Sequence, residues 1–282
     1  MNTVFVAGAG TMGLDIALVF AGAGMNVIIR DIMEEIIETA KVRMNANLKK
    51  LTAKGTLSEE EAAALSGRIR YTVDMAPASD ADLVLEAIVE RADLKTSVFR
   101  ELDAVCKPDC IFCTNTSSIS VTQLAAASGR PDRFIGMHFF NPAQVMKLVE
   151  ITRSLTTSDE TFRTIYDLAV RLGKEPVEVQ DSPGFVVNRI LVPMMNEAAC
   201  LLYEGVASAG DIDKAMQLGA NHPMGPLHLA DLVGIDVLLY ICDVLFDETH
   251  DPKFRACYLL RKMVRSGKLG RKTGEGFFRY DK

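Results

Sequence analysis

Two groups of residues in this chain have the types and spacing that chemistry needs. The first is the turn Gly8-Ala9-Gly10-Thr11-Met12-Gly13, which follows the apolar run Val4-Phe5-Val6-Ala7 and opens the apolar stretch from Met12 to Ala23. Glycine at the first position permits a tight turn, at the second lets the backbone approach a pyrophosphate, and at the third lets a helix sit close to its strand. Amides at the start of that helix then face the anion. Asp31 closes the next apolar run, Val27-Ile28-Ile29. A carboxylate there accepts hydrogen bonds from ribose hydroxyls and repels a 2′-phosphate, so the pattern predicts a dinucleotide site favouring NAD over NADP. Arg30 could accommodate a 2′-phosphate, but as the adjacent strand residue it is expected to point to the other face.

The second group centres on His138. Of the four histidines, His138, His222, His228 and His250, it is the one that follows a buried-looking strand, Phe134-Ile135-Gly136-Met137, and enters a loop, Phe139-Phe140-Asn141-Pro142. Open α/β sheets place their ligands beyond the carboxyl ends of the strands. An imidazole titrating near neutrality can take an alcohol's proton as hydride leaves. The same position suits a hydrogen-bonded structural histidine, and spacing does not choose between the two.

The elements that must position these groups follow from periodicity. Val4 to Ala7, Val27 to Ile29, Leu83-Val84-Leu85 and Ile111-Phe112-Cys113 are short apolar runs separated by amphipathic stretches, the pattern of a parallel sheet covered by helices. Met33 to Lys54 predicts a long helix, and Ser58-Glu59-Glu60-Glu61 the capped, acidic start of another, giving a helical hairpin inserted in the sheet. Further strands are expected at Phe134 to His138, Lys147 to Ile151 and near Val177-Glu178-Val179, with a helix around Glu160 to Leu172. Beyond Asp181-Ser182-Pro183-Gly184, the chain to Lys268 reads as helices broken at Gly205, Gly219 and Pro223 to Pro226. The fold class is therefore α/β: a Rossmann-type, mostly parallel sheet with an inserted helical hairpin, followed by an all-α C-terminal domain. The boundary is expected near Pro183, with residues 1–183 binding NAD and 184–282 forming a helical substrate and dimerisation domain. Phe185, Val186, Ile190, Leu191, Met194 and Met195 span an arc wide enough to be a helical core or, in part, a subunit contact.

Composition narrows the class. A chain of 282 residues, 49% hydrophobic and 24% charged, is an ordinary globular protein with room for two lobes. A net charge of -6 argues against a broad nucleic-acid or anionic-membrane surface. The lack of a leader or an apolar run of about 18 residues predicts a cytoplasmic location. Six cysteines then read as free thiols. Cys106, Cys110 and Cys113 have the spacing of an iron–sulfur loop, but Cys113 ends a buried-looking strand and the three are better read as small apolar residues, with no metal expected.

Longer motifs carry a family resemblance. Asn115-Thr116-Ser117-Ser118, Met137 to Pro142 followed by Met146-Lys147-Leu148-Val149-Glu150, and Asp181 to Arg189 together resemble the L-3-hydroxyacyl-CoA dehydrogenases. His222-Pro223-Met224-Gly225-Pro226 through Ala230-Asp231-Leu232 resembles that family's helical domain, and the likeness covers essentially the whole chain. Its length, without a fused hydratase, is similar to the short stand-alone bacterial 3-hydroxybutyryl-CoA dehydrogenases.

The resemblance implies hydride transfer between C3 of a (3S)-3-hydroxyacyl-CoA and NAD, with His138 as base and Glu150 as its paired carboxylate. Ser117 and Asn188 match the residues that hold the C3 oxygen and its loop. The implied cofactor set is Gly8, Ala9, Gly10, Thr11, Met12, Gly13 and Asp31, then Glu90 and Lys95 toward the ribose and nicotinamide side, with Asn115, Ser117 and Asn141. Lys50 and Lys54, with Lys49, form a basic patch on the hairpin suited to coenzyme A phosphates. A homodimer or dimer-based assembly is implied as well. By type and spacing alone, Ser117 and Asn188 also suit helix starts, Glu150 a strand-end charge, and Glu90, Lys95 and the hairpin lysines solvated helix faces. A dehydrogenase of a free hydroxy or sugar acid, or a dinucleotide-binding protein without turnover, would share the fold.

Overall fold

A computed structural model describes residues 1–280, which divide into two compact units, Met1–Ser182 and the described residues from Pro183 onward. The first holds an eight-stranded sheet. Its strands are β1 (Thr3–Ala7), β2 (Asn26–Arg30), β3 (Ile69–Thr72), β4 (Leu83–Glu86), β5 (Ile111–Thr114), β6 (Phe134–Phe139), β7 (Leu148–Arg153) and β8 (Glu175–Gln180). They lie in the order β3-β2-β1-β4-β5-β6-β7-β8, parallel throughout except for the antiparallel pair β6 and β7. The central strands β4, β5 and β6 are buried along their whole length and mostly apolar because helices cover both faces. Those helices are α1 (Thr11–Gly22), α2 (Glu34–Ala53), α3 (Glu59–Gly67), α4 (Ala92–Asp103), α5 (Val121–Ala127) and α6 (Asp159–Arg171). The chain runs outward from β1 to β3 and returns to β4 on the other side of β1. The crevice between β1 and β4 is thus the point where such sheets receive ligands.

Helices α2 and α3 form the expected hairpin, and α3 begins in a full capping box between Ser58 and Glu61. Strand β3 has no counterpart in the sequence expectations. It is a four-residue edge strand whose burial falls from Ile69 to the exposed Arg70, too short and mixed to leave a periodic signal. Strand β8 begins at Glu175 and includes Pro176, which an edge strand tolerates.

The second unit packs α7 (Val187–Tyr203), α8 (Ala209–Gly219), α9 (Pro226–Val233), α10 (Ile235–Thr249) and α11 (Tyr258–Arg265) around a core including Met195, Leu227, Leu238 and Leu260. Besides the expected breaks, Gly234 separates α9 from α10 at φ 104°, and His250 ends α10 in the left-handed region. Buried Asp213 caps α9 by accepting from the amides of Leu227 and His228. Buried Asp231 accepts from the amides of Phe277 and Phe278 and the Tyr280 hydroxyl, fastening the chain's last turn. Of the apolar arc at the start of this unit, Phe185 and Met195 are buried, whereas Val186 and Ile190 are 46% and 66% exposed.

Cys110 and Cys113 are fully buried and all six cysteines are thiols. Burial pushes the Cys113 thiol up, so it stays neutral, as a small apolar side chain would. Among the described residues no three metal-binding side chains stand together.

A single in-register row crosses the sheet near its carboxyl end. Ala7, Glu86, Thr114, Gly136 and Thr152 are side by side on β1, β4, β5, β6 and β7. Gly136 is there because a Cβ would stand 2.8 Å from that of Thr152 and 3.1 Å from Val121 Cγ2 on α5. Gly136→Ala is expected to cost about 1–3 kcal/mol through overpacking. The measurement is the urea midpoint; an unchanged midpoint would mean that the neighbours yield freely.

Candidate active site

The glycine turn has the features a dinucleotide requires. Gly8 adopts φ 115°, and a Cβ on it would stand 2.5 Å from the Ala87 carbonyl oxygen, so neither a side chain nor an ordinary φ fits. Gly13 packs directly on the Gly8 carbonyl, seating α1 against its strand. Gly10 is the N-cap of α1, no side chain caps the helix there, and a Cβ on Gly10 would meet no protein atom. Space and helix amides suited to an anion therefore coincide. Ala9, Thr11 and Met12 complete the turn. Asp31 stands just past β2, where Oδ2 accepts from the Ala9 amide at 2.8 Å and Oδ1 from the Ile32 amide at 2.7 Å. Arg30 Nε donates to the Val73 carbonyl at 3.2 Å, which holds its guanidinium on the neighbouring chain.

His138 and Glu150, twelve residues apart, are direct partners across the antiparallel β6–β7 pair. Nδ1 of His138 lies 2.8 Å from Oε2 of Glu150, and the two residues are only 6% and 1% exposed. An ionised carboxylate only accepts, so Nδ1 carries the proton and Nε2 is left as the atom that takes or gives one. Because β6 runs parallel to the central strands, this pair sits at the sheet's carboxyl end.

The loop after β5 is held by a buried charge system. Glu90 Oε1 faces the Thr116 hydroxyl at 2.6 Å, the amides of Ser117 and Ser118 at 2.9 and 3.1 Å, and their hydroxyls at 3.3 and 3.0 Å. Lys95, 1% exposed, donates to Glu86 at 2.5 Å and pairs with Glu90 at 3.2 Å. Glu86 also accepts from the Thr114 hydroxyl and the Ile88 amide, each at 2.7 Å. Burial raises the Glu86 carboxyl above its ordinary range, with Lys95, Thr114 and the Ile88 amide opposing it; in Glu90 the Lys95 charge and the loop donors outweigh burial and hold the group below its ordinary range. Asn115 Oδ1 accepts from the Phe139 amide at 2.8 Å, tying this loop to the end of β6.

The segment following β6 is fastened from two sides. Lys174 Nζ donates to the carbonyls of Ala143 and Met146 at 2.5 and 2.9 Å. Asp15, buried on α1, accepts from the Gln144 side chain at 3.1 Å. Burial raises the Asp15 carboxyl and lowers the Lys174 ammonium. Asn141 is exposed at the start of this segment. Asn188 stands in the second unit, at the second residue of α7, after a turn in which Phe185 holds φ 50°. Lys50 lies in the last turn of α2 and Lys54 caps it; both are exposed. A groove of about 560 Å³ between α2 and α3 is lined by Lys49, Asn45 and Thr52, and neither Lys50 nor Lys54 is on that face.

The structure thus brings together His138 with Glu150, Glu90 and Lys95 with the Ser117 loop, and Asp31 with the glycine turn. Glu86, Thr114, Asp15 and Lys174 are absent from the sequence expectations. Glu86 left one usable signal, a carboxylate closing the buried run Leu83-Val84-Leu85. Lys174 and Asp15 left none, because their partners are far along the chain.

Comparison with known proteins shows the family and the fold. Residues 3–182 match the family model of the 3-hydroxyacyl-CoA dehydrogenase NAD-binding domain, and residues 184–280 that of the C-terminal domain of the same family. A probable 3-hydroxybutyryl-CoA dehydrogenase of Deinococcus radiodurans is 50% identical over 98% of this chain and 99% of its own. A 3-hydroxybutyryl-CoA dehydrogenase of Clostridioides difficile is 48% identical over 98% and 99%. The crystal structure of an (S)-3-hydroxybutyryl-CoA dehydrogenase from Ralstonia eutropha superposes with a TM-score of 0.96 at 47% identity, covering all of both chains.

Lys174→Met removes two charge-assisted hydrogen bonds and is expected to destabilise the protein by about 1.5–3 kcal/mol. Denaturant titration reads this; a change within error would mean that the segment is held without the ammonium.

Proposed function

This chain belongs to the 3-hydroxyacyl-CoA dehydrogenase family, NAD-dependent oxidoreductases, and on that premise we propose that it interconverts (3S)-3-hydroxybutyryl-CoA and acetoacetyl-CoA with His138 as the acid–base group. The observation that carries the reading is the buried 2.8 Å contact between His138 Nδ1 and Glu150 at the carboxyl end of the sheet. The glycine turn from Gly8 to Gly13 and Asp31 would hold NAD, which supplies the hydride acceptor or donor when bound. In oxidation His138 takes the C3 hydroxyl proton at Nε2; in reduction it returns that proton to the ketone oxygen. Glu150 keeps the ring in one orientation and stabilises the imidazolium. Ser117, with its amide gripped by Glu90, and Asn188 would hold the C3 oxygen in line. Glu90, Lys95, Asn115 and Asn141 belong to the cofactor side in this reading, and the hairpin lysines Lys50 and Lys54, with Lys49, take the coenzyme A phosphates.

Two further properties belong to the same proposal. A homodimer through the helical unit is supported by exposed apolar residues on successive helices, among them Ile190 of α7, Leu232 of α9 and Val237 of α10. A cytoplasmic location is supported by six free thiols. No described helix is long and apolar enough to cross a membrane.

His138→Gln is expected to lower kcat for acetoacetyl-CoA reduction by about 10²–10⁴-fold while leaving NADH binding intact. Retention of most turnover would remove His138 from the mechanism. Free acetoacetate should be a much poorer substrate than acetoacetyl-CoA. Equal use of the two would favour a dehydrogenase of free hydroxy acids and leave Lys50 and Lys54 as bystanders. Light scattering should give twice the chain mass; a monomer at assay concentration would overturn the dimer.

A further inference from the structure

We propose that Glu86 is a positioning residue for hydride transfer, acting through Lys95 on Glu90 and so on the loop that carries Ser117. The proposal rests on the proposed role of Ser117 in meeting the substrate oxygen. Glu86 is fully buried at the end of β4, directly beneath the glycine turn, since Ala87 is the residue that Gly8 packs against. Its neighbours are all donors: the Lys95 ammonium, the Thr114 hydroxyl and the Ile88 amide. The Lys95 ammonium, at 2.5 Å, and the Ile88 amide both meet Oε1, and a cation at that distance opposes the effect of burial and favours the ionised form.

The loop needs this second carboxylate. Five donors crowd Glu90 Oε1, more than its lone pairs can fully serve, and the Ser117 hydroxyl at 3.3 Å is the most distant of them. Of the contacts to Oε1 it is the weakest, while the Ser117 and Ser118 amides keep the loop in place. The arrangement works only while Oε1 stays with the loop. Lys95 leans toward Glu86, at 2.5 Å against 3.2 Å for Glu90 Oε2, so the ammonium is satisfied without drawing Glu90 away. Without the Glu86 charge, a buried ammonium has one counter-ion left and moves onto it. The main chain of Glu86 supports the same loop, because its carbonyl accepts from the Asn115 amide at 2.8 Å.

Two variants test this: Glu86→Gln and Thr114→Val. Amide hydrogen exchange at Ser117 and Ser118 reads the grip on the loop without reference to activity. Exchange should quicken in Glu86→Gln, less so in Thr114→Val, with Gly8 to Gly13 unaffected. With acetoacetyl-CoA, Glu86→Gln should lower kcat by about ten- to a hundredfold through misplacement of Ser117, with NADH affinity unchanged. Unchanged exchange at Ser117 and Ser118 would overturn the proposal. So would quickened exchange with unchanged kcat. If Glu86→Gln fails to fold, Thr114→Val decides by the same two readouts. Should the wild-type enzyme fail to reduce acetoacetyl-CoA, the functional reading falls, and the exchange measurement still decides whether Glu86 holds the loop.

Discussion

A carboxylate taken out of water must be met by donors, and in this chain that requirement is what joins segments distant in sequence. Asp31 takes the Ala9 amide and fixes the glycine turn to the end of β2. Glu90 takes the Ser117 and Ser118 amides and fixes the loop after β5. Glu150 takes the His138 ring and fixes its tautomer. Asp181 accepts from the Ser120 hydroxyl and from the Val121 and Thr122 amides at the start of α5, anchoring the chain where the first unit ends. In the helical unit Asp213 and Asp231 do the same for α9 and for the last turn. Each costs desolvation, and each is offset by donors that no other segment supplies.

These anchors work because the sheet sets where they stand. The in-register row from Ala7 through Glu86, Thr114 and Gly136 to Thr152 places the Glu86 carboxylate beside the Thr114 hydroxyl, two register positions from the His138–Glu150 pair. The reversal of direction between β6 and β7 is decisive. With β7 parallel to β6, Glu150 would not face His138 near the sheet's carboxyl end. The antiparallel pairing of β6 with β7 thus coincides with the His138–Glu150 contact, and the glycine at 136 lets β7 and α5 close over the row.

Much of this was legible in the chain. The alternation of apolar runs and amphipathic stretches predicts β1, β2, β4, β5 and β6 and the hairpin α2–α3, because strands buried on both faces are apolar throughout and a capping box is a local signal. Strand β3 and the start of β8 were not legible, since edge strands are half-exposed and their composition is mixed. The two further breaks in the helical unit, at Gly234 and His250, depend on backbone angles that a helical pattern does not announce. Lys49, rather than Lys50 or Lys54, lines the hairpin groove, because which turn of α2 faces α3 is set by packing.

By itself the sequence determined the local pattern: a glycine turn of the dinucleotide-binding type between a strand and a helix, an acidic residue, Asp31, closing the next strand, and a histidine entering a loop after a buried strand. Such features live within a few residues of one another, so residue type and spacing suffice. The tertiary structure alone decided which charges meet. Glu150 reaches His138 only by cross-strand register, Lys95 is buried between two carboxylates rather than solvated on α4, and Glu86 enters the site only because β4 ends beneath the glycine turn. These are contacts between strands and helices brought together by burial, and no local pattern encodes them.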